Sequence, residues 1–146
     1  MNLTVDASVF VSAARTEEPH YQASRQLLLR AQAQDVTLFC PVLVLPECAA
    51  AIARPTGDST LAKELAKLIE SFPNLHLIAH VLPLARRAVE IATDHRLRGA
   101  DSIYVAVAEA FDATLITWDA EMLERGAGVL ITKTPSDWMQ AQEAIT

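Results

Sequence analysis

Four acidic residues, Asp6, Glu47, Asp101 and Asp119, stand where a predicted strand ends or where the helix after it begins. In an open α/β sheet such positions converge on one crevice, so carboxylates far apart in the chain can share one pocket. Carboxylate oxygens are the ligands that Mg²⁺ and Mn²⁺ prefer, and Mg²⁺ is commonly held by one or two of them with waters and a substrate phosphate. Four acids around one pocket can therefore hold one such ion, or two about 4 Å apart. Gathering like charges also raises at least one of their pKa values while no metal is bound.

The elements that must position these acids follow from local pattern. Leu3 to Val5 reads as a short strand stopped at Asp6, and Val36 to Cys40 as a second, punctuated by Pro41. Val42 to Ala53 then reads as an apolar helix interrupted by the single acid Glu47, which in that company needs a partner or a metal. Gly99-Ala100 is expected to break a helix just before Asp101, and Ile103, Tyr104, Val107 and Ala108 carry the apolar period of the next. Thr114 to Thr117 reads as a buried strand with Trp118 and Asp119 just beyond it. Further strands are expected at Leu75 to Ile78 and Val129 to Ile131. Amphipathic helices are expected over Tyr21 to Ala33 and Ser59 to Phe72, the latter capped by Asp58 or Ser59. Five strands alternating with helices give a parallel sheet.

Composition is compatible with that architecture. A chain of 146 residues, 51% hydrophobic, with mean hydropathy +0.21, fits one domain spanning residues 1–146 with helices on both faces of the sheet. No basic and apolar leader opens the chain and no stretch approaches the roughly 20 apolar residues of a membrane span, so a soluble, cytoplasmic protein is expected. Cys40 and Cys48 lack metal-ligand spacing and read as reduced core residues. The net charge of −6 argues against a broad basic face for nucleic acid, leaving local cations near the acids, Arg54, Arg96 and Arg98, as candidates to meet phosphates. His20, His76, His80 and His95 show no zinc or triad spacing. Trp118 is expected to pack over the sheet edge, with base stacking as its alternative role.

Val5-Asp6-Ala7-Ser8, Pro46-Glu47, Gly99-Ala100-Asp101-Ser102-Ile103-Tyr104-Val105-Ala106 and Leu115-Ile116-Thr117-Trp118-Asp119, in that order and over nearly the whole chain, resemble a PIN-domain ribonuclease, most like the small VapC-type toxins. Ser102 stands where that family often has a smaller residue such as Ala, a mild departure. The resemblance implies a three-layer α/β/α fold around a five-stranded parallel sheet and Mg²⁺- or Mn²⁺-dependent endonucleolytic cleavage of RNA. It also implies a homodimer held inactive by a cognate antitoxin, for which the apolar helices Val42 to Ile52 and Leu61 to Ile69 are candidate surfaces. In the chemistry expected, a metal-activated water attacks phosphorus in line while cationic charge stabilises the leaving 3′-oxygen. Asp6 and Asp101 are expected to touch the metal. Glu47 and Asp119 would complete the site, directly or through water, and Ser8 and Thr117 would orient carboxylates through their hydroxyls.

Each acid also has a plainer reading. Asp101 and Asp119 can cap helices, Asp6 can end its strand in a turn, and Glu47 can face solvent. Two other functions fit strand-end acids: a PIN-fold module that binds RNA or protein without cutting it, and a Mg²⁺-dependent phosphotransfer or receiver domain. The latter lacks the paired acids and the late Lys of a receiver, and the second Asp that a phosphatase would carry at Ser8.

Overall fold

A computed structural model describes residues 1–34 and 36–145. Among these residues the chain alternates strands and helices: β1 (Asn2–Val5), α1 (Ala7–Ala14), α2 (Tyr21–Ala33), β2 (Thr37–Pro41), α3 (Val44–Thr56), α4 (Ser59–Glu70) and β3 (Leu75–Ile78). Then follow α5 (Leu82–His95), α6 (Gly99–Ala110), β4 (Thr114–Ile116), α7 (Ala120–Gly126), β5 (Thr132–Lys133) and α8 (Pro135–Ile145). The strands form one five-stranded sheet in the order β3-β2-β1-β4-β5, and every pair is parallel. The expected α/β class and five-stranded parallel sheet are therefore observed. No helix of the described residues is long and apolar enough to cross a membrane.

The sheet forms because its strands are apolar on both faces, as parallel strands covered by helices must be. Leu3, Val5, Leu38, Cys40, Leu115 and Ile116 have no exposed surface, and Val9, Leu27, Ile52, Ile69, Ile91 and Tyr104 pack from the helices into the same core. After β1 the chain builds outward through β2 to β3. It then crosses back, through α5 and α6, to lay β4 on the other side of β1. The sheet thus reverses its winding between β1 and β4, the place where open α/β sheets form a crevice at the carboxyl ends of their strands. Val5 pairs with Ile116 there, and the Asp6 amide donates to the Ile116 carbonyl at 3.0 Å.

Three local expectations are corrected. The last strand is Thr132–Lys133 rather than Val129 to Ile131. The amides of Val129 and Leu130 turn back to the Gly126 carbonyl at 2.9 and 3.1 Å, so this apolar run closes a turn after α7 before the chain reaches the sheet edge. The break before Asp101 lies at Arg96, whose left-handed backbone (φ 58°) caps α5, and Gly99 already belongs to α6. Val42 precedes α3, its amide bonded to the Ile78 carbonyl at 3.0 Å. At the other end of α3, Gly57 (φ 70°) adopts the left-handed conformation that glycine tolerates best, and its amide closes on Ala53 at 2.8 Å. Asp58 then caps α4 by accepting from the Leu61 amide at 2.9 Å.

Candidate active site

Asp6 is the first residue beyond β1 and the N-cap of α1, and it is only 8% exposed. Its Oδ2 accepts from the Thr117 hydroxyl at 2.9 Å and, weakly, from the Ser8 amide at 3.4 Å. Burial pushes its pKa up, while the hydrogen bonds from Ser8 and Thr117 pull it back down. Thr117 has no exposed surface, and its oxygen also accepts from the Asp119 amide at 3.0 Å. One hydroxyl therefore links the Asp6 carboxylate to the backbone carrying Asp119. Ser8 completes the tie: its Oγ accepts from the Trp118 amide at 3.2 Å, joining the start of α1 to the loop after β4.

Asp119 caps α7, its Oδ1 accepting from the Met122 amide at 2.8 Å. That plainer role is real and occupies one carboxylate oxygen. Glu47 lies in the first turn of α3, half-buried, and its Oε1 accepts from the Tyr104 hydroxyl at 2.5 Å. Burial raises the Glu47 pKa, the Tyr104 bond lowers it, and the charge of Asp6 raises it again. Tyr104 itself has no exposed surface, and its phenol is driven upward by burial and by Asp6 and Glu47, so it stays a proton donor. Sequence reading took Tyr104 only as an apolar position of α6. The available signal was that a tyrosine hydroxyl carried into a core needs a partner.

Asp101 sits in the first turn of α6, where the cap residue is Arg98 and makes no side-chain cap bond. Its carboxyl is pushed up to about 6, first by burial and then by the charges of Asp119 and Asp6; Arg98 opposes the rise and Glu47 adds to it. The charges of Asp119, Asp6 and Glu47 thus all bear on Asp101, and that of Asp6 bears on Glu47. The donor set is oxygen from carboxylates and hydroxyls, which is the chemistry that a hard divalent cation takes. Among the described residues no three His, Cys, Asp or Glu side chains are placed to hold an ion by themselves. A Mg²⁺ held by one or two carboxylates and completed by water and phosphate needs no such trio.

The cations divide. Arg98 faces the acids electrostatically. Arg54 lies with Glu47, Ala50, Ala51 and Pro55 around an open cavity of about 660 Å³ and has no hydrogen bond or ion pair among the described residues. Arg96 is exposed, and its carbonyl accepts from Arg125. Glu121, close to Asp119 in sequence, is paired with Arg125 at 2.8 Å. Cys40 and Cys48 are free and buried, with burial as the leading cause of a raised thiol pKa in each, to about 12 for Cys40. Trp118 stacks on His20 with ring centroids 3.7 Å apart and 7° between planes, and its indole N–H donates to Ser24 at 2.7 Å.

Solved structures share this fold. VapBC2 from Rickettsia felis, solved bound to a DNA fragment from its promoter, superposes with a TM-score of 0.72 at 17% identity over 92% of this chain and 98% of that one. VapC20 from Mycobacterium tuberculosis, described as a Sarcin-Ricin loop cleaving toxin, gives 0.70 at 17% over 88% and 96%. FitAcB from Neisseria gonorrhoeae gives 0.68 at 18% over 93% and 99%. At these identities the likeness establishes the fold. No curated protein matches the chain significantly. The family model for the PIN domain matches residues 3–128, a span that holds all four acids, and the chain belongs to the PIN domain family.

Proposed function

We propose that this chain, acting as a single domain over residues 1–146, is a metal-dependent endoribonuclease that hydrolyses RNA phosphodiester bonds, and that it is the toxin of a type II toxin–antitoxin pair. What supports the reading is that the charges of Asp119, Asp6 and Glu47 all act on Asp101, beside the switch between β1 and β4, and together with burial push it up to about 6. Carboxyls such as Asp6, Glu47 and Asp101, whose charged forms are disfavoured by burial and by one another, are receptors for positive charge. Asp6 and Asp101 would hold Mg²⁺, or Mn²⁺ in its place, with Glu47 and Asp119 completing the shell directly or through water. When bound, such an ion lowers the pKa of water and neutralises charge on the phosphoryl oxygens.

The chain's own residues do the rest. The Thr117 hydroxyl and the Ser8 amide fix the Asp6 carboxylate, so it need not reorganise when charge arrives. Tyr104 holds Oε1 of Glu47, leaving Oε2 to orient the attacking water and take its proton. Arg98, whose charge acts on Asp101, and Arg54, which shares a cavity with Glu47, would meet substrate phosphates, with exposed Arg96 as a third contact.

The partner reading draws on the structural relatives, which include a toxin described as cleaving the Sarcin-Ricin loop and a VapBC complex on promoter DNA. Of the two helices expected to dock an antitoxin, α3 spends Val44, Cys48 and Ile52 on the core. On α4, Leu68 is 66% exposed and borders an apolar groove of about 390 Å³ with Phe10, Leu28, Leu65, Ile69 and Phe72. That groove is the better antitoxin surface; the homodimer rests on the family resemblance.

The test is cleavage of a mixed structured RNA pool with Mg²⁺, Mn²⁺ or EDTA, run beside Asp101→Asn with its fold checked by circular dichroism. Metal-dependent cuts that vanish in the folded variant support the reading. No cleavage by the wild type with either metal across tRNA, rRNA and mRNA overturns it in favour of a non-catalytic binding module.

A further inference from the structure

Beside the acidic cluster lies a second cavity of about 290 Å³, bordered by Ser8, Glu18, Ala51 and the stacked rings of His20 and Trp118. Ser8 contacts Asp6 through its amide and Trp118 through its hydroxyl, so this cavity abuts the proposed site directly. Ala51 borders both this cavity and the one holding Glu47 and Arg54. Ala51 also follows Glu47 by four residues on α3, on the same helix face. The two cavities thus adjoin at Ala51, a trough beside α3 with Glu47 in its wall.

The ends of the trough differ in chemistry. The Arg54 end offers a guanidinium without a partner among the described residues. The other end offers aromatic surface, and its acid, Glu18, is paired with Arg15 at 3.4 Å. A phosphate suits the first end, and an uncharged planar group suits the second.

The inner ring of the aromatic end is also anchored. Trp118 is fixed by its indole N–H on Ser24, which is buried and bonded to the buried Ser12 at 2.6 Å, and by its backbone amide on Ser8. His20 is exposed, so the stack ends at solvent. A ring pair whose inner ring is anchored in this way, at the edge of an acidic site, is a platform that one more ring can extend.

We infer that the His20–Trp118 stack is a nucleobase subsite, which takes a base neighbouring the scissile phosphate of single-stranded RNA and extends the ring stack beside the acidic cluster. This rests on the ribonuclease reading and adds to it the part of the substrate bound there. Base–aromatic stacking tolerates every base, so the subsite positions the strand and tightens binding without demanding one sequence.

The test begins by mapping a wild-type cut and synthesising a short labelled oligoribonucleotide across it, intact and with single abasic substitutions around the cut. Binding is measured by fluorescence anisotropy in Asp101→Asn protein, alone and combined with His20→Ala, Trp118→Ala or Trp118→Phe. His20→Ala and Trp118→Ala should each weaken intact RNA by roughly 5- to 150-fold, with Trp118→Phe losing less. One abasic substitution should weaken the parent protein by a similar factor and leave the two Ala variants with little further to lose. Intact binding unchanged in His20→Ala, whose exposed position tolerates truncation, overturns the subsite. So does an equal loss on intact and on every abasic RNA, which would mean that the rings serve only the fold. A wild type that cuts RNA while the variants bind normally removes the subsite and leaves the nuclease standing. A wild type that neither cuts nor binds removes both.

Discussion

Replacing Asp101 with Asn is expected to stabilise the metal-free protein at neutral pH while abolishing the proposed RNA cleavage. The folded carboxyl is pushed up to about 6 from an ordinary 3.8, so it holds its proton more tightly folded than unfolded. That contribution to stability is fully present below about pH 3.8 and is lost as the pH rises through about 6, beyond which the folded state carries an unwelcome charge. The gap corresponds to about 3 kcal/mol. Asp101 is partly exposed, and solvent screening reduces this to about 1.5 kcal/mol. Asn also forfeits about 0.5 kcal/mol of favourable charge at the start of α6. The net gain is about 1 kcal/mol, or roughly 2 to 4 °C in Tm for a chain of this size. Thermal melts of both proteins in EDTA from pH 4 to 8 should show the gain above pH 6 and its disappearance near pH 4. Mg²⁺ at about 100 times its Kd should add about 2.7 kcal/mol to the wild type and less to the variant, reversing their order. A variant no more stable than wild type at pH 8, or a gain equally large at pH 4, refutes the convergence of charge on Asp101.

Tyr104→Phe removes the donor to Glu47 and should raise that carboxyl further, moving the acid limb of a cleavage pH profile upward and costing about 1 kcal/mol of stability; an unmoved limb would show that Glu47 does not act in its ionised form. Thr117→Val strips the buried hydroxyl from Asp6 and from the Asp119 amide, and should cost about 1 to 3 kcal/mol in denaturant unfolding together with most of the activity, whereas Thr117→Ser retains both. Burial of both thiols, with Cys40 pushed up to about 12, predicts that neither reacts with a disulfide reagent at pH 8 until the protein is unfolded; fast reaction of the native state would contradict the packing of β2 and α3.

Asp6 and Asp119 were legible because the strands before them are short, apolar and cut off abruptly, so the residue at the end of each run lies at the sheet edge whatever the details. Glu47 stood out as an acid in an apolar helix. Its partner did not, since a tyrosine in a helical stripe reads as core until the opposing helix is known. The fifth strand was misplaced because Val129 and Leu130 are apolar for a turn that packs against the core, and hydrophobicity alone does not separate a covered turn from a strand. His20 could not be joined to Trp118 from spacing, because 98 residues separate them and only the docking of α1 and α2 beside β4 brings the rings together.

Because β1 pairs with both β2 and β4, the earliest of these five strands made on the ribosome waits for one of the last. Asp6 and Asp119 are separated by 113 residues, and at 5 to 20 residues per second synthesis takes roughly 6 to 23 s to cross that interval. Until it ends the four acids do not share a complete pocket, while α1, α2 and α4 are all made before it closes. A partner that recognises those helices can engage the nascent chain before its chemistry exists, so order along the polypeptide itself separates the moment of capture from the moment of activity.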